Sequence, residues 1–354
     1  MNISQYIIRW PYKVMWHIMR GYRQLFRKDR HIVFYCGGYL DYIIFRNVRK
    51  YLPDLTIVSK NRRVQKELSH YGIESKIYPS FPDVVIMARH VARKFPEKKI
   101  LKFGMRHGPY HFKDFVSAGR YNAFDRYFVT SEKEVELSKT KGIVCAVSGG
   151  YPKLDPAFNG DITTDDLERL RNKIGVDGNK KTIIFTSTWD RSGTSAIEKW
   201  VYKLDELTDD YNVLVTVHHW MSEEYKKILD ENKKIYYIHD KDIVPYLMIS
   251  DIMVGDLSSI IAEFCALNKP LITFRVPDGK RTPQEIKDML EKISYRIDTY
   301  EELIVAIEDG IKNPALHEKE RLHFTNVMFD DLLGKSSERI GNIINESIRG
   351  MDSF

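Results

Sequence analysis

The sequence predicts an α/β protein with two Rossmann-like domains, each a doubly wound parallel sheet, that face a cleft. The chain has 354 residues, which is enough for two domains with separate hydrophobic cores. From His31 onward, short apolar runs alternate with segments of helical length, and a second alternating series begins after Lys181. Strands separated by helices in this way form parallel sheets. The predicted boundaries are an N-terminal segment at 1–28, a first domain at 29–160, a linker at 161–180 and a second domain at 181–354.

The first series begins with IVFYC, a predicted strand, and GGYLDYIIFRNVRKYL, a predicted helix that starts at glycine. LTIVS and NRRVQKELSHYG follow as a strand and a helix closed by Gly72. The further predicted strands are VVIMA, KILKFG, RYFVTS and IVCAVSG. Cys36 to Gly38 form a glycine turn after the first strand. Because C-G-G-Y is not the full dinucleotide fingerprint, we interpret this turn as room for close helix packing.

The second series contains TIIFTST, a helix around residues 196–207, NVLVTV, a helix from Ser222, and KIYYI. After it comes the stretch at 245–274, which contains the apolar runs IMV and LITF with a helical segment between them. This pattern predicts a strand, a tight turn, a helix and a second strand.

Three polar residues fall at the turn between this strand and helix: Asp256, Ser258 and Ser259. Unpaired backbone amides and the positive end of the helix dipole favour a phosphate group at such a position. The alternative is that Asp256 or Ser258 only caps the helix.

Composition and charge exclude several classes of protein. The apolar and charged fractions, 43% and 29%, are those of an ordinary globular chain. Much of the net charge of +6 comes from the first thirty residues, and no nucleic-acid motif is present, so no nucleic-acid partner is expected. The three cysteines lie in apolar runs without metal-like spacing, which predicts reduced core residues of a cytoplasmic protein. No run reaches the ~20 apolar residues of a membrane span, and no signal peptide with a cleavage site is visible.

The N-terminal segment is amphipathic and basic. Its apolar residues at helical spacing are Ile3, Ile7, Trp10, Val14, Ile18, Tyr22 and Leu25. Its basic residues are Arg9, Lys13, Arg20, Arg23, Arg27 and Lys28. Such a segment can lie on an anionic membrane surface, and the alternative is a helix packed on the body of the protein. Pro11 predicts that the helix is divided into two pieces.

Polar side chains follow several predicted strands, at the edge where parallel sheets bind ligands. The loops are 105–108 after KILKFG, 150–155 after IVCAVSG, 189–193 after IIFTST, and 218–219 after VLVTV. Independent strand ends that each supply His, Lys, Arg or Ser indicate a site for phosphate chemistry.

These loops also carry a resemblance to a known family. SDIMVGDLSSIIAEFCALNKPLITF resembles the D-x-S-S-I-I-x-[DE]-F block of the CDP-glycerol glycerophosphotransferase family, the teichoic-acid polymerases and primases of bacterial cell envelopes. RHGPYHFKD is similar to its W-H-G-x-P-x-K loop, with Arg106 in place of the aromatic residue, and GYPKLD is similar to its G-x-P-[RK]-x-D motif. IIFTSTWDR resembles its apolar-x-PTWR strand end, and VLVTVHHW resembles its strand followed by His-Pro, with His219 in place of proline. FDDLLGKSSERI resembles F-x-D-G-x-[AS]-S-x-R-I, with two extra residues before Gly334.

The resemblance implies a two-domain GT-B transferase. It would move glycerol phosphate, or a related polyol phosphate, from a CDP-polyol to a hydroxyl of a lipid-linked or polymeric glycan acceptor in teichoic acid or capsule synthesis, releasing CMP. CDP-glycerol or another CDP-polyol would be the donor substrate, with no metal cofactor. The expected location is the cytoplasm, peripheral on the inner face of the cell membrane.

The resemblance also implies roles for particular residues. His107 is the candidate base for the acceptor hydroxyl, with a structural loop histidine as the alternative. His218 and Asp256 are the further catalytic candidates; Asp256 would orient a donor hydroxyl or a neighbouring base. The candidates for donor and phosphate binding are Lys153, Asp155, Arg191, His219, Ser258, Ser259, Ser336, Ser337 and Arg339. His219 is the alternative to His218, and a surface helix end is the alternative for the last three.

Two other hypotheses share the same fold. One is a GT-B glycosyltransferase or a UDP-sugar 2-epimerase that uses a nucleotide sugar, although no clear Glu-x7-Glu donor pattern occurs around Glu263. The other is a non-catalytic, membrane-associated module that binds nucleotide without turnover. The second would lose little affinity, and no activity, when His107 is replaced by alanine.

Overall fold

The computed structural model describes residues 3–26, 28–279 and 281–351, with side chains described from Trp10 onward. Its helices are α1 (Ile3–Leu25), α2 (Tyr39–Phe45), α3 (Arg62–His70), α4 (Ala118–Tyr121), α5 (Glu132–Thr140), α6 (Asp155–Phe158), α7 (Thr164–Ile174), α8 (Ile197–Trp200), α9 (Glu223–Glu231), α10 (Val244–Ile249), α11 (Ile260–Cys265), α12 (Gln284–Ile293), α13 (Tyr300–Lys312), α14 (Glu318–Phe329) and α15 (Ser336–Gly350). Its strands are β1 (Ile32–Cys36), β2 (Thr56–Ser59), β3 (Lys76–Ile77), β4 (Val84–Met87), β5 (Leu101–Met105), β6 (Arg126–Val129), β7 (Ala146–Ser148), β8 (Lys181–Ser187), β9 (Tyr211–Val217), β10 (Tyr236–Tyr237), β11 (Ile252–Gly255), β12 (Leu271–Phe274) and β13 (Tyr295–Ile297).

The described residues divide into two compact units. Unit 1 comprises Met1–His107, Phe115–Asp155 and Lys335–Phe354. Unit 2 comprises Gly108–Asp114 and Pro156–Gly334. Within these residues, no helix is both long enough and apolar enough to cross a membrane.

Unit 1 contains a parallel sheet with the strand order β3-β2-β1-β4-β5-β6-β7. Its central strands β1 and β4 are apolar runs, as expected where both faces of a parallel sheet are covered. On one face Phe34 stacks on Phe45 of α2, with ring centres 4.0 Å apart. On the other face Val33 and Tyr35 pack in a second core cluster with Tyr127. The sheet therefore holds two hydrophobic layers, as a doubly wound domain requires.

Helix α1 packs on unit 1 through one face. Trp16 is fully buried in the second core cluster of unit 1, and its Nε1 donates a hydrogen bond to the Pro82 carbonyl oxygen at 2.6 Å. The Tyr12 hydroxyl donates to the Ser80 carbonyl oxygen at 2.7 Å. Arg23 forms an ion pair with Asp83 at 2.9 Å.

The opposite face of α1 is exposed and apolar, and Trp10, Ile18 and Leu25 have exposed fractions of 70%, 57% and 77%. Helix α1 therefore packs on the fold through one face, as the second alternative predicted, and leaves an apolar stripe exposed on the other. Membrane binding by this stripe stays a prediction. The side chains of Ile3, Ile7 and Arg9, and residue Arg27, lie outside the described residues.

Unit 2 contains a second parallel sheet, with the strand order β10-β9-β8-β11-β12-β13. Phe185 on β8 packs on Trp200 of α8, with ring centres 5.1 Å apart, in the core cluster that α13 completes. The predicted fold class, two doubly wound parallel sheets, is confirmed.

The structure differs from the predicted organisation of the chain in four places. Residues 108–114, predicted in the first domain, belong to unit 2. Helix α15 belongs to unit 1 and not to a second domain at 181–354, because Ile340 and Ile344 complete the first core cluster of unit 1. The polar linker at 161–180 contains α7, which is part of unit 2 and places Arg171 Nη2 3.5 Å from the Ile249 carbonyl oxygen. Helix α1 also runs unbroken through Pro11, because Tyr12 and Trp16 anchor it immediately afterwards.

Candidate active site

The strand order defines a switch point in each unit, where connections leave in opposite directions. In unit 1 the chain continues from β1 to β2 on one side and crosses to β4 on the other. In unit 2 the corresponding strands are β8 and β11. Open α/β sheets bind ligands at such points, beyond the carboxyl ends of the strands. The loops after these four strands are therefore the expected ligand-binding positions.

Asp256 lies directly after β11 and is completely buried. Its carboxylate accepts hydrogen bonds from the Thr188 backbone N–H and hydroxyl at 2.9 and 2.6 Å, from the Ser187 hydroxyl at 2.7 Å and from the Ala196 backbone N–H at 3.0 Å. Burial raises the pKa of this carboxyl group, against the opposing effect of the hydrogen bonds. The network joins the end of β11 to the end of β8 at the switch point of unit 2. This geometry fits a positioning role within the fold.

Ser258 and Ser259 precede α11 and are half-buried. Ser259 is the N-cap residue, and its side chain makes no capping hydrogen bond. The loop at 108–114, which belongs to unit 2, passes close to this turn, because a Cβ atom on Gly108 would lie 3.4 Å from Ser259 Oγ. The N-cap position thus falls on Ser259 and not on Asp256 or Ser258, the two caps that the sequence offered as an alternative. The hydroxyls of Ser258 and Ser259 can each donate to a phosphate oxygen.

The two histidines after β9 have different environments. His218 is half-buried, and its Nδ1 accepts a hydrogen bond from the Trp220 backbone N–H at 3.1 Å, whereas His219 is exposed. An accepting Nδ1 assigns the proton of the neutral ring to Nε2. Burial, and then the charges of His219, Lys113 and Lys226, lower the pKa of His218 to about 4. At neutral pH, His218 is therefore an uncharged donor through Nε2.

Arg191 lies in the short turn Asp190–Ser192 after β8 and is exposed. The turn is fixed by Asp190, which accepts hydrogen bonds from the Ser222 backbone N–H at 3.0 Å and from its hydroxyl at 2.5 Å. Burial opposes ionisation of Asp190, but the hydrogen bonds from Ser222 outweigh it and lower its pKa. Since Ser222 precedes α9, these bonds join the loop that carries Arg191 to the loop that carries His218.

A cavity of about 230 Å³ lies in unit 2 at the carboxyl ends of β11 and β12. Basic residues in its lining are matched by acidic ones: Lys287 pairs with Asp278 at 2.7 Å, and Arg296 pairs with Glu291 at 3.0 Å. Asp256 also lines this cavity, so the cavity and the switch point of unit 2 are adjacent. The cavity thus offers both donors and acceptors of hydrogen bonds.

In unit 1, β5 is followed by Arg106 and His107. The Arg106 Nε lies 3.1 Å from Oε1 of Glu134, whose side chain is fully buried, and the guanidinium carbon lies 5.4 Å from the ring centre of Phe115. Burial lowers the pKa of Arg106, but the Glu134 charge together with Tyr121 and Tyr127 outweighs it, and the net pKa is raised. His107, in contrast, is exposed at the end of the strand.

The loop after β7 is joined to the start of α15. Asp155 is buried, and its carboxylate accepts hydrogen bonds from the backbone N–H groups of Ser336 and Ser337 at 3.1 and 2.6 Å. It thereby satisfies two amides at a helix N-terminus. Gly150 has a φ of 79°, and a Cβ atom there would collide with Ser336. The close approach of the loop to the helix therefore requires glycine.

Lys153 and Arg339 complete this predicted set. Lys153 is buried in the loop after β7, and Arg339 is half-buried on α15. The structure therefore gathers the whole set in unit 1, whereas Ser336, Ser337 and Arg339 were predicted in the second domain. The serines are not at a surface helix end, because each is about 5% exposed or less.

Two groups of residues were missed by sequence reasoning. Glu285 on α12 holds the loop at 108–114, with its carboxylate oxygens 3.1 Å from the Tyr110 hydroxyl and 3.1 Å from His111 Nε2. No local pattern could reveal a pairing across more than 170 residues. Asp41 and Arg89 form an ion pair at the switch point of unit 1. Arg89 follows the strand VVIMA, so the rule that selected the other loops would also have selected this one.

The candidates thus form one group in each unit. Unit 2 holds Asp256, Ser258, Ser259, Arg191, His218 and His219, and unit 1 holds His107, Lys153, Asp155, Ser336, Ser337 and Arg339. Among the residues that the structure describes, no group of three or more His, Cys, Asp and Glu side chains could hold a metal ion.

Curated relatives of this chain are enzymes of teichoic acid synthesis. A teichoic acid poly(glycerol phosphate) polymerase of Bacillus spizizenii is 26% identical over 142 residues, which are 37% of this chain and 35% of that protein. The teichoic acid ribitol-phosphate polymerase TarL of Staphylococcus aureus is 22% identical over 280 residues, which are 72% of this chain and 46% of that protein. The chain therefore spans less than half the length of these two relatives.

Solved structures with a similar fold include a teichoic acid polymerase and a UDP-sugar epimerase. A structure of a variant of the wall teichoic acid polymerase TagF has a TM-score of 0.74 at 16% identity, with 100% of both chains covered. A UDP-GlcNAc 2-epimerase from Neisseria meningitidis has a TM-score of 0.62 at 14% identity, with 89% of this chain and 99% of the epimerase covered. Likenesses at this level of identity bear on the fold alone, and they confirm the GT-B fold class.

The family assignment comes from the sequence. The model of the CDP-glycerol:poly(glycerophosphate) glycerophosphotransferase family matches residues 130–346, more than half of the chain. The match includes the loop after β7, the network around Asp256 and the start of α15. The chain belongs to the CDP-glycerol:poly(glycerophosphate) glycerophosphotransferase family.

Proposed function

We propose that this protein transfers glycerol phosphate, or a related polyol phosphate, from a CDP-polyol to a hydroxyl group of a lipid-linked or polymeric glycan acceptor in the synthesis of teichoic acid or a capsule. The observation that carries the proposal is the family match at residues 130–346, which includes most of the candidate residues of both units. The curated relatives named above are polymerases of glycerol phosphate and ribitol phosphate, so both polyols are candidate donors.

In the proposed reaction, the acceptor hydroxyl oxygen bonds to the β-phosphorus of the CDP-polyol. The bond between that phosphorus and the bridging oxygen breaks, and CMP leaves with this oxygen. The proton of the hydroxyl passes to a base. His107 suits this role because its imidazole is exposed just after β5, and histidine is the side chain that most often serves as a general base.

The donor would bind to unit 2. His218 supports this assignment because its neutral ring presents Nε2–H, a donor suited to a phosphoryl oxygen that gains negative charge in the transition state. Arg191 and the hydroxyls of Ser258 and Ser259 would neutralise or bind the diphosphate, and the cavity of about 230 Å³ beyond β12 would take another part of the donor. Because the chain itself supplies these donors, the proposal includes no metal cofactor.

The resemblance implied that Asp155, Ser336 and Ser337 bind the donor phosphates, and we propose a structural role for them instead. Their polar groups bind one another within unit 1, so we assign them to holding the loop after β7 against α15. Asp256 likewise acts by positioning the loop after β8, which carries Arg191.

The test is CMP release from CDP-glycerol, with CDP-ribitol and UDP-N-acetylglucosamine in parallel, in the presence of a lipid-linked amino-sugar acceptor analogue. We expect CMP release from a CDP-polyol that EDTA does not reduce, and loss of transfer in His107→Ala with CDP-polyol binding retained. Turnover of the UDP-sugar alone would move the protein to the nucleotide-sugar class. Transfer by His107→Ala at the wild-type rate would remove His107 from its role as the base.

We propose further that α1 binds the protein to an anionic membrane, peripheral on the inner face of the cell membrane. Two features support this: the exposed apolar stripe that includes Trp10, Ile18 and Leu25, and the basic residues on the same helix. The buried Tyr12 and Trp16 would hold the helix on unit 1 while the stripe enters the lipid interface. A lipid-linked acceptor would then meet the enzyme at that surface.

A further inference from the structure

We propose that Arg89, held by the buried carboxylate of Asp41, binds a phosphate group of the acceptor in unit 1. The anion would be the phosphate nearest to the hydroxyl that reacts, such as that of a terminal glycerol phosphate. The inference rests on the proposed function only for the identity of the ligand. That unit 1 has an anion site at its switch point follows from the geometry.

The Asp41–Arg89 pair bridges the two strands of the switch point. Asp41 lies in α2 after β1, Arg89 lies two residues after β4, and β1 and β4 are neighbours in the sheet. Arg89 Nε donates to both carboxylate oxygens of Asp41, at 2.8 and 3.0 Å. The pair therefore occupies the crevice where a sheet of this kind receives its ligand.

The two partners differ sharply in exposure. The Asp41 side chain is 1% exposed, whereas the Arg89 side chain is 45% exposed. Within the described ranges, the side-chain hydrogen bonds of Arg89 run through Nε to Asp41, which leaves the two terminal nitrogens of the guanidinium directed away from that pairing. A guanidinium fixed at one edge with a second edge exposed is suited to a phosphate group, which binds arginine through paired N–H donors.

Gly37 gives further evidence that the site is built for this pair. Its backbone N–H donates to Asp41 Oδ2 at 2.9 Å. A Cβ atom on Gly37 would lie 2.8 Å from the same oxygen and 3.4 Å from Arg89 Nε. The glycine thus lets the backbone approach the carboxylate and fixes the oxygen that orients Arg89. Burial raises the pKa of Asp41, and the Arg89 charge opposes this effect.

Two lysines also follow strands of this sheet. Lys60 follows β2, and Lys94 lies in a short turn after β4, with its Nζ 4.6 Å from the ring centre of Tyr78. The nearby acid is Glu67, whose Oε2 would lie 3.7 Å from a Cβ atom on Gly38. Lys60 and Lys94 also act on each other, since burial and the Lys60 charge lower the pKa of Lys94. An anionic ligand would relieve that repulsion.

The position of Arg89 favours the acceptor over the donor. Strands β4 and β5 are adjacent, with Met87 opposite Gly104, and Arg89 and His107 each follow the end of their strand by two residues. Neighbouring strands lie about 4.8 Å apart. A phosphate group bound to Arg89 would therefore lie near an acceptor hydroxyl bound to His107. A terminal glycerol phosphate carries a phosphate and a hydroxyl at such a short separation.

The switch point of unit 2 provides a contrast. There the buried Asp256 is bound by backbone N–H groups and hydroxyls of the same unit, and no arginine is paired with it among the described residues. Hydrogen bonds within the unit are thus enough to join two loops without an exposed cation. The exposed guanidinium at the corresponding point of unit 1 indicates a ligand.

The experiment compares Arg89→Gln with Arg126→Gln. Arg126 is an exposed arginine at the first position of β6, at the amino ends of the strands, whereas Arg89 lies beyond their carboxyl ends, so the loss of Arg126 removes an equal charge away from the site. Asp41→Asn and the double variant Asp41→Asn/Arg89→Gln accompany them, because Arg89→Gln alone leaves a buried carboxylate unpaired and can impair folding. Each is assayed with CDP-glycerol and two acceptor analogues, one ending in glycerol phosphate and the other in unphosphorylated glycerol.

We expect Arg89→Gln and the double variant to raise KM for the phosphorylated acceptor by about 10- to 100-fold, the range for loss of a hydrogen bond to a charged group. KM for CDP-glycerol and for the unphosphorylated acceptor should not change, Arg126→Gln should match the wild type, and Asp41→Asn should cause a smaller rise. A rise in KM for CDP-glycerol instead, or equal effects on both acceptors, would overturn the proposal.

A binding measurement separates this inference from the proposed reaction. Calorimetric titration with a short oligomer of glycerol phosphate requires no turnover. If the wild type binds the oligomer and the double variant does not, the anion site stands even if no CDP-polyol is turned over. If the wild type does not bind it, or all variants bind it equally, Arg89 is not a phosphate site.

Discussion

Replacing Asp256 distinguishes a positioning role from direct participation in catalysis. The aspartate was predicted from sequence as a catalytic candidate, and its carboxylate is fully buried within unit 2. We consider two substitutions, Asp256→Ala and Asp256→Asn. Alanine removes every acceptor, whereas asparagine keeps the shape and one carbonyl oxygen.

The magnitudes follow from the hydrogen bonds. In Asp256→Ala, the Ala196 N–H and the N–H and hydroxyl of Thr188 lose their acceptor, while the Ser187 hydroxyl retains Ser195 Oγ at 2.7 Å. A buried donor without a partner costs about 1 to 3 kcal/mol. The sum is on the order of 5 kcal/mol, which is a large part of the about 5 to 15 kcal/mol that stabilises a domain.

Asparagine should be much less damaging. Its carbonyl oxygen can accept from the backbone N–H groups, and the Thr188 hydroxyl can reorient to accept from the new amide. The expected cost is about 1.5 to 3 kcal/mol, the value of a lost hydrogen bond to a charged group. Asp256→Asn should therefore be folded, with an activity that declines as the loop after β8 loosens.

The assay pairs urea unfolding with CMP release for both variants and the wild type. For a positioning role, Asp256→Ala yields little folded protein, and Asp256→Asn keeps measurable kcat with a raised KM for the CDP-polyol. An Asp256→Asn protein that is as stable as the wild type but has lost all turnover would refute this reasoning, and would return Asp256 to the reacting atoms.

Three further predictions concern other sites. Burial lowers the pKa of His218 from 6.5 to about 4, so between these pH values the unfolded chain binds more protons at this residue than the folded chain. The free energy of unfolding should therefore fall as the pH falls from 6.5 to 4. The variant His218→Gln should flatten this dependence in urea titrations at pH 7 and pH 5. Trp16→Ala should destabilise unit 1 by about 3 to 5 kcal/mol because its side chain is fully buried. Trp10→Ala should leave the melting temperature unchanged and weaken binding to anionic liposomes in a salt-dependent way. The reverse pattern would contradict the assigned faces of α1. Gly150→Ala should destabilise the junction with Ser336 by more than about 1 kcal/mol, measured by thermal unfolding, because the residue has a φ of 79° and its Cβ would collide.

Periodicity predicted the fold because most strands are buried on both faces and read as continuous apolar runs. IVFYC corresponds to β1 without a shift, and IMV and LITF correspond to β11 and β12. The strands β3 and β13 were missed because they are two and three residues long and partly exposed, so they lack such a run. Helix α15 was assigned to the wrong unit because its apolar stripe predicts a buried face but not which sheet it covers.

The site was predicted in part, and the limit was again long-range contact. The rule that polar residues after parallel strands form a site selected His107, His218 and Asp256, which all follow strands in the structure. The rule could not separate a residue that faces a ligand from one whose polar atoms are already hydrogen-bonded within the fold. Only the structure reveals that Asp256 accepts hydrogen bonds from Ser187 and from the loop after β8. Likewise, only the structure shows that His218 is half-buried and bonded to the Trp220 N–H, whereas His219 is exposed.

The arginine in place of the family's aromatic residue before His107 has a physical explanation. Arg106 covers the ring of Phe115 and pairs with the fully buried Glu134, which itself accepts the Thr130 backbone N–H at 2.9 Å. A planar guanidinium provides a flat surface as an aromatic ring does, and its charge compensates a carboxylate that could not otherwise be buried. Arg106 thus belongs to a local arrangement with Glu134 and Phe115, next in sequence to His107, whose side chain is exposed after β5.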